Sequence, residues 1–405
     1  MAAPFCFGSC SPGSASVPCS PWVATWGTAL VETGANAPDI SGQTLRQIVH
    51  TSAGGRQARV WLSNHFGTVP LHIGSAHIAI GALRDSTPGA EMSAIQPGSD
   101  RTLTFNHRST VTIAPGATVV SDGVALDVPA LANIAVSLYF PDHTLGTTEH
   151  GGAHQTSYAA TGDVTGAATL AGISWTKNSW YILSGVDVYV PGGSAIVALG
   201  DSITDGNHST DNENHRWPDY LAARLAANEG TQKAGALGIV NLGISGNRLL
   251  QDGDGPNALS QLDWDVFSRS GVRYLILFDA INDIEATTRN RQPCGDLLEQ
   301  LETGLAQVAV QAHQHGILVY GATQMTDSRD QKVTWPEGEA VRTALDHWIL
   351  TTDVFDGAID FDKTMRDPQV PTQLLQQYNS GDFVHPNDTG YKAMADSIDL
   401  NLFTK

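Results

Sequence analysis

The stretch Ala195-Ile196-Val197-Ala198-Leu199-Gly200-Asp201-Ser202 decides the reading of this chain. A short, unbroken apolar run that stops at a glycine has the pattern of a strand buried on both faces, as in a parallel sheet. Such a strand delivers whatever follows it to one edge of the sheet, and here a serine follows. A serine hydroxyl is a poor nucleophile until a histidine takes its proton and a carboxylate holds that histidine in the right tautomer. Near the C-terminus, Asp382-Phe383-Val384-His385-Pro386 offers both groups on what can be a single loop. The combination reads as a serine-type esterase.

Around the first run, further apolar strands read Ile239–Leu242, Tyr274–Phe278, Ile317–Tyr320 and Gly357–Phe361. Helical patterns lie between them at Pro218–Ala227, Leu297–His315 and Glu337–Leu350, with a last one from Asn387 to about Leu400. Strands alternating with helices give βαβ units and a parallel sheet covered on both faces, here a flavodoxin-like three-layer α/β/α domain. Ligands of such folds bind at the carboxyl ends of the strands. Two more segments fall there: Gly243-Ile244-Ser245-Gly246-Asn247 after the second strand and Asp279-Ala280-Ile281-Asn282-Asp283 after the third. The backbone N–H of Ser202, that of Gly246 and the side-chain amide of Asn282 are candidate donors to the oxyanion of an acyl transfer.

Upstream of Pro191-Gly192-Gly193 the texture changes to period two. Gln57–Ser63, Leu71–Ala76, Ser109–Ile113, Ile134–Tyr139 and Val186–Val190 alternate, separated by turns such as Gly54-Gly55 and Pro115-Gly116. That pattern predicts an antiparallel β-sandwich of jelly-roll type. The expected organisation is a Cys/Ser/Pro-rich leader over 1–20, a β-sandwich over 21–190 and the catalytic domain over 194–405.

The segments Gly200-Asp201-Ser202-Ile203-Thr204, Gly246, Asn282-Asp283 and Asp382-x-x-His385-Pro386 resemble, in order, the four blocks of the SGNH (GDSL) hydrolase superfamily. The first half, with Trp22–Trp26 and Leu62–Gly67, resembles the N-terminal β-domain of a two-domain subgroup. The resemblance implies Ser202 as nucleophile, His385 as base, Asp382 as its orienter, and Ser202, Gly246 and Asn282 as the oxyanion hole. It implies hydrolysis of carboxylic esters with no cofactor and no metal, and short acyl groups, acetyl on a sugar or polyol above all. Alternatives are a lactonase or acyltransferase with the same triad, or a dead domain that binds or scaffolds. One departure stands out: Ala280 replaces the glycine with which the third block usually begins, so its methyl disfavours a strongly positive φ.

Composition narrows the partners. Lys and Arg total 22 against 41 Asp and Glu, a formal charge of −19, which repels nucleic acid and anionic lipid. No run approaches the roughly 20 apolar residues needed to span a bilayer. The expected partner is a small-molecule or carbohydrate ester. Cys6, Cys10, Cys19 and Cys294 permit two disulfides, one inside the leader and one tying it to the Cys294 loop. Secretion is then expected, although no signal peptide is visible, and four free thiols in a cytosolic protein are the alternative. The pair His150/His154 sits in a glycine-rich stretch without an evident carboxylate, a poor metal motif.

Overall fold

The computed structural model describes residues 20–82, 92–228, 230, 236–289, 295–327 and 336–404. All four cysteines, and with them the expected disulfides, lie outside these residues.

In the second half the strands run, in spatial order, Leu237–Gly243, Ser194–Gly200, Val272–Phe278, Leu318–Ala322 and Gly357–Ile359, all parallel. This is the flavodoxin-like order, with its switch point between the Ser194–Gly200 and Val272–Phe278 strands. The Ser194–Gly200 strand explains the layering. Ala195, Val197 and Leu199 pack with Leu301, Leu305 and Leu345 from the helices Leu297–Gln314 and Pro336–Thr351. Ile196 and Ala198 point the other way, to Trp217, Leu221 and Met394 from the helices Trp217–Ala227 and Asp388–Ser397. With both faces covered there is no place for a polar residue in the run, which is why the sequence shows none.

The expected strands and helices are present, with their ends shifted. Phe361, read as the end of a strand, instead opens a short helix, Phe361–Met365, because Asp360 caps it by accepting the N–H of Lys363 at 3.0 Å. Two block segments read as loops are also helical: Ser202–Asp205 and Ile281–Arg289.

The first half is antiparallel throughout its two main sheets. One orders Trp22–Gly27, Leu183–Tyr189, Gly55–Ser63 and Val124–Val128, with Thr118–Val120 also against Gly55–Ser63. The other orders Ile173–Lys177, Ser157–Thr161, Gln43–His50, Asn133–Phe140, Ser75–Ile80 and Arg101–Thr102. Their inner residues, among them Val60, Leu62, Val186 and Val188 from one and Leu45, Val136 and Leu138 from the other, form one core. The Leu71–Ala76 run is two strands rather than one, the chain changing sheets at Gly74.

The two halves are tied together where the parallel sheet has an edge. An edge strand presents unpaired backbone groups, and the β-half covers them: Ser52 Oγ accepts the N–H of Ile239 at 2.8 Å. Val23 and Ala24 enter the same apolar cluster as Val240 and Leu242. Arg269, 8 % exposed, donates to the carbonyls of Ser184 (2.6 Å) and Thr28 (2.9 Å) and to Asp265 Oδ1 (3.2 Å). Removing that guanidinium takes a donor from each of these buried acceptors and leaves the buried Asp265 carboxylate without its cation. Arg269→Met is therefore expected to lower the unfolding free energy by about 3 kcal/mol. Urea denaturation followed by circular dichroism checks this, and an unchanged midpoint would contradict it.

Candidate active site

The carboxyl end of the Ser194–Gly200 strand sets the site. Gly200 is in register with Gly243 on one side and Phe278 on the other, so the segments that follow all three strands emerge together. After Gly200 the chain turns into the helix Ser202–Asp205, capped by Asp201, whose Oδ1 accepts the N–H of Ile203 at 2.9 Å. A one-turn helix leaves its first N–H groups unpaired by the backbone, which puts the N–H of Ser202 among the site's donors. The bend into this helix is tight because the neighbouring strand ends in Gly243, where an added Cβ would overlap the backbone N of Asp205.

The structure brings together the residues singled out from the sequence. Ser202 Oγ lies 2.8 Å from His385 Nε2, and His385 Nδ1 lies 2.5 Å from Asp382 Oδ2. Asp382 Oδ1 accepts the N–H groups of Val384 (3.0 Å) and His385 (2.9 Å) and the hydroxyl of Ser380 (3.0 Å). Gly246 and Asn282 line the same cavity of about 460 Å³ as Ser202 and His385. Gly246 holds φ +79 beneath the carboxylate of Asp254, a place that admits no Cβ. Asn282 Nδ2 donates to the carbonyl of Asn247 at 2.8 Å. An amide has two N–H donors, so this bond fixes the side chain and spares the second for the cavity.

Ala280 does adopt a positive φ, +143°, despite its methyl. It is wholly buried and its carbonyl accepts the N–H of Asp283 at 3.1 Å, starting the helix that carries Asn282. The departure from the usual glycine is thus borne as backbone strain, and Asn282 still reaches the cavity.

Several residues at the site carried no signal in the sequence. His208, from the loop after the serine helix, places Nε2 3.2 Å from Asp382 Oδ2 and its ring 5.4 Å from that of His385. The three atoms His208 Nε2, Asp382 Oδ2 and His385 Nδ1 all lie within 4.8 Å of one another, the one grouping among the described residues with the geometry to hold a cation. Arg248, Asp254, Glu285 and Asn207 also line the cavity. His150 and His154, the other histidine pair, go to separate carboxylates, Asp205 and Asp211. Trp217, shortly after the serine helix, is wholly buried against Phe361. Asn387, two residues after His385, caps the helix Asp388–Ser397 and is engaged with Gln377 and Asn379.

The acidic groups divide by what surrounds them. Burial disfavours the charge of Asp382, but the side-chain and backbone hydrogen bonds of His385 and the N–H of Val384 outweigh it and hold the carboxyl well below the usual range. Asp279 is the opposite case. Burial, reinforced by the charges of Asp201 and Asp283, pushes it well above the usual carboxylate range. Burial likewise pushes Asp201 up to about 6, against the pull of the Ile203 N–H. Asp201 and Asp279 follow the in-register pair Gly200 and Phe278, so the two buried carboxyls are neighbours and like charges there cannot both persist.

A model of the GDSL-like lipase/acylhydrolase family matches residues 196–398. The chain belongs to that family. Among solved structures, this GDSL hydrolase is similar to a lipolytic G-D-S-L protein from Veillonella parvula, at 21% identity over 52% of this chain and 99% of that one, TM-score 0.38. It is similar to a catalytic mutant of an acetylxylan esterase from Geobacillus stearothermophilus, at 18% identity over 51% and 93%, TM-score 0.38. It is also similar to a GDSL-like lipase from Bacteroides thetaiotaomicron, at 19% identity over 50% and 85%, TM-score 0.35. No curated protein matches the sequence. As a GDSL hydrolase the protein is an enzyme acting on carboxylic esters.

Two outcomes follow from the site's strain and charge. Replacing Ala280 by glycine relieves a positive φ and is expected to raise the unfolding free energy by about 1 kcal/mol, measured by urea titration; a destabilised variant would contradict this. The raised acids fix the sign of the pH dependence. An unfolded aspartate titrates near about 3.9, whereas burial pushes Asp201, Asp265 and Asp283 up to about 6 and Asp346 up to about 8. Their stabilising effect is complete below the unfolded value and is lost as pH rises through the folded ones. The depressed Asp382 and Asp205 work in reverse and lose their contribution as pH falls below the unfolded value. Calorimetry should therefore give a Tm that peaks on the acid side, near pH ~5, and declines toward pH ~8. Asp279→Asn should flatten that decline, and a Tm rising steadily to pH ~8 would contradict the assignment.

Proposed function

We propose that this GDSL hydrolase removes short acyl groups, acetyl in particular, from a hydroxyl-rich alcohol such as a sugar, through an acyl-Ser202 intermediate. The observation that carries this reading is the lining of the cavity that holds Ser202. Asn207, Ser245, Arg248, Asp254, Asn282 and Glu285 surround it, and Ala286 is its sole aliphatic side chain among the described residues. A wall of hydrogen-bonding groups suits an alcohol rich in hydroxyls and offers little to a long acyl chain.

In this mechanism Ser202 Oγ attacks the ester carbonyl while His385 Nε2, 2.8 Å away, takes its proton. Asp382 stabilises the imidazolium and fixes Nδ1–H through the 2.5 Å bond. The carbonyl oxygen becomes an oxyanion held by the N–H of Ser202, the N–H of Gly246 and the free N–H of Asn282. Collapse of the intermediate breaks the bond to the alcohol oxygen, which receives the proton from His385 and departs. Water then gives a proton to His385 and attacks the acyl carbon, and release of Ser202 yields the carboxylic acid. His208, with Nε2 3.2 Å from Asp382 Oδ2, helps to keep that carboxylate in place.

The test is hydrolysis of p-nitrophenyl esters from acetate to laurate, and of acetate release from acetylated sugars. Acetate and butyrate are expected to be the best simple esters. Ser202→Ala and His385→Ala should each lose at least about 10⁴-fold in kcat with circular dichroism unchanged. Preference for laurate would overturn the substrate class, and turnover by Ser202→Ala would overturn the nucleophile. A competing alcohol in the assay distinguishes hydrolysis from acyl transfer by its product.

A further inference from the structure

We propose that the β-half contributes a positioning residue to the esterase centre: His150, which acts through Asp205 on both the nucleophile helix and the oxyanion loop. The inference rests on the roles proposed above for Ser202 and Gly246.

Asp205 is the last residue of the helix that begins at Ser202, and it is almost wholly buried. Its two carboxylate oxygens face different elements. Oδ2 accepts both the N–H (3.2 Å) and the hydroxyl (2.7 Å) of Ser245, the residue before Gly246. Oδ1 takes a bond from His150 Nε2 at 3.0 Å. One carboxylate therefore fastens the serine helix to the loop that supplies the second oxyanion donor, and the β-half holds that carboxylate from behind.

His150 is built for the task. It lies on the strand Thr148–Gly151, 4 % exposed, with its ring stacked on Trp180 at 5.6 Å. Its Nδ1 stands 2.8 Å from the carbonyl of Ala29. A carbonyl and a carboxylate only accept, so each of these two bonds is made by a ring N–H. Burial alone would raise Asp205, yet the charge and hydrogen bond of His150, with the Ser245 bond and Arg216, hold it below the usual range. Arg216 reinforces the link: its Nε donates to the carbonyl of Asp205 at 2.7 Å, and its guanidinium also donates to the carbonyl of Ala153. The space beside these groups amounts to about 30 Å³, room for about one water and no ligand. The imidazole acts by contact.

An oxyanion donor that drifts by a fraction of an ångström loses its preference for the transition state while ground-state binding persists. Loss of His150 should accordingly appear in kcat rather than KM. The experiment uses the full chain and p-nitrophenyl acetate, with competent Ser202 counted by titration with diethyl p-nitrophenyl phosphate. His150→Phe is expected to lower kcat per titrated serine by about 10- to 100-fold with KM within about threefold. His150→Gln, whose amide N–H falls near the Nε2 position, should recover most of that loss. A kcat per titrated serine within about threefold of wild type in His150→Phe would overturn the proposal, since only folding would then depend on the contact. Equal impairment of the Phe and Gln variants would overturn it as well.

If His150→Phe yields no folded protein, Ser245→Ala decides, because it removes the hydroxyl bond to Asp205, while any effect of its place in the cavity lining is read separately through KM. A fall of about fivefold or more in kcat at steady KM is expected, and a wild-type kcat refutes the proposal. A Ser202→Ala control that still reacts with the phosphate ester would instead remove the underlying assignment of the nucleophile, an outcome separable from any behaviour of position 150.

Discussion

The arrangement depends on the register of one strand. Gly200 is paired with Gly243 on one flank and faces Phe278 on the other. Because all strands of the sheet are parallel, their carboxyl ends lie on one edge, and this register brings the serine turn level with the two donor segments. Slipping a strand by one residue would exchange its faces. Ile196 and Ala198 would then confront the Leu301 and Leu305 layer instead of Trp217 and Leu221. The packing of both helical layers thus guards the alignment of the catalytic edge, and core stability and site geometry are one constraint.

Charge is distributed over that edge with a consistent logic. Asp382 has two backbone N–H groups, a hydroxyl and the His385 imidazole as donors, with His208 Nε2 3.2 Å away, and Asp205 has Ser245 and His150. Asp279 has neither a cation nor a donor that outweighs its burial, and its carboxyl is held well above the usual range. That raised carboxyl adds to a stability that declines with rising pH.

The β-half is more than an appendage. It covers the edge strand of the parallel sheet through Ser52, supplies acceptors to Arg269, and sends the His150 imidazole to the back of the Ser202–Asp205 helix. An open sheet edge and a four-residue helix both need outside support, and the same neighbouring body gives it to each.

Much of this was legible in the sequence, and the reasons for what was not are physical. The apolar runs fixed the parallel sheet because strands covered on both faces admit no polar residue, and the alternating runs fixed the antiparallel half for the converse reason. Ser202, Gly246, Asn282, Asp382 and His385 were legible because each occupies a strand end in a short local pattern. The helix carrying Asn282 was not, since Asp279-Ala280-Ile281-Asn282-Asp283 has no apolar stripe and its cap is a strained alanine with φ +143. Nor were His208 beside Asp382 and His150 behind Asp205. An isolated histidine has no periodicity, and its partner is chosen by how distant segments are brought together. The sequence by itself determined which residues can do chemistry and which edge of which sheet presents them. Only the tertiary structure decided which carboxylates are charged and which histidine supports which one, because burial and proximity are properties of the folded surroundings.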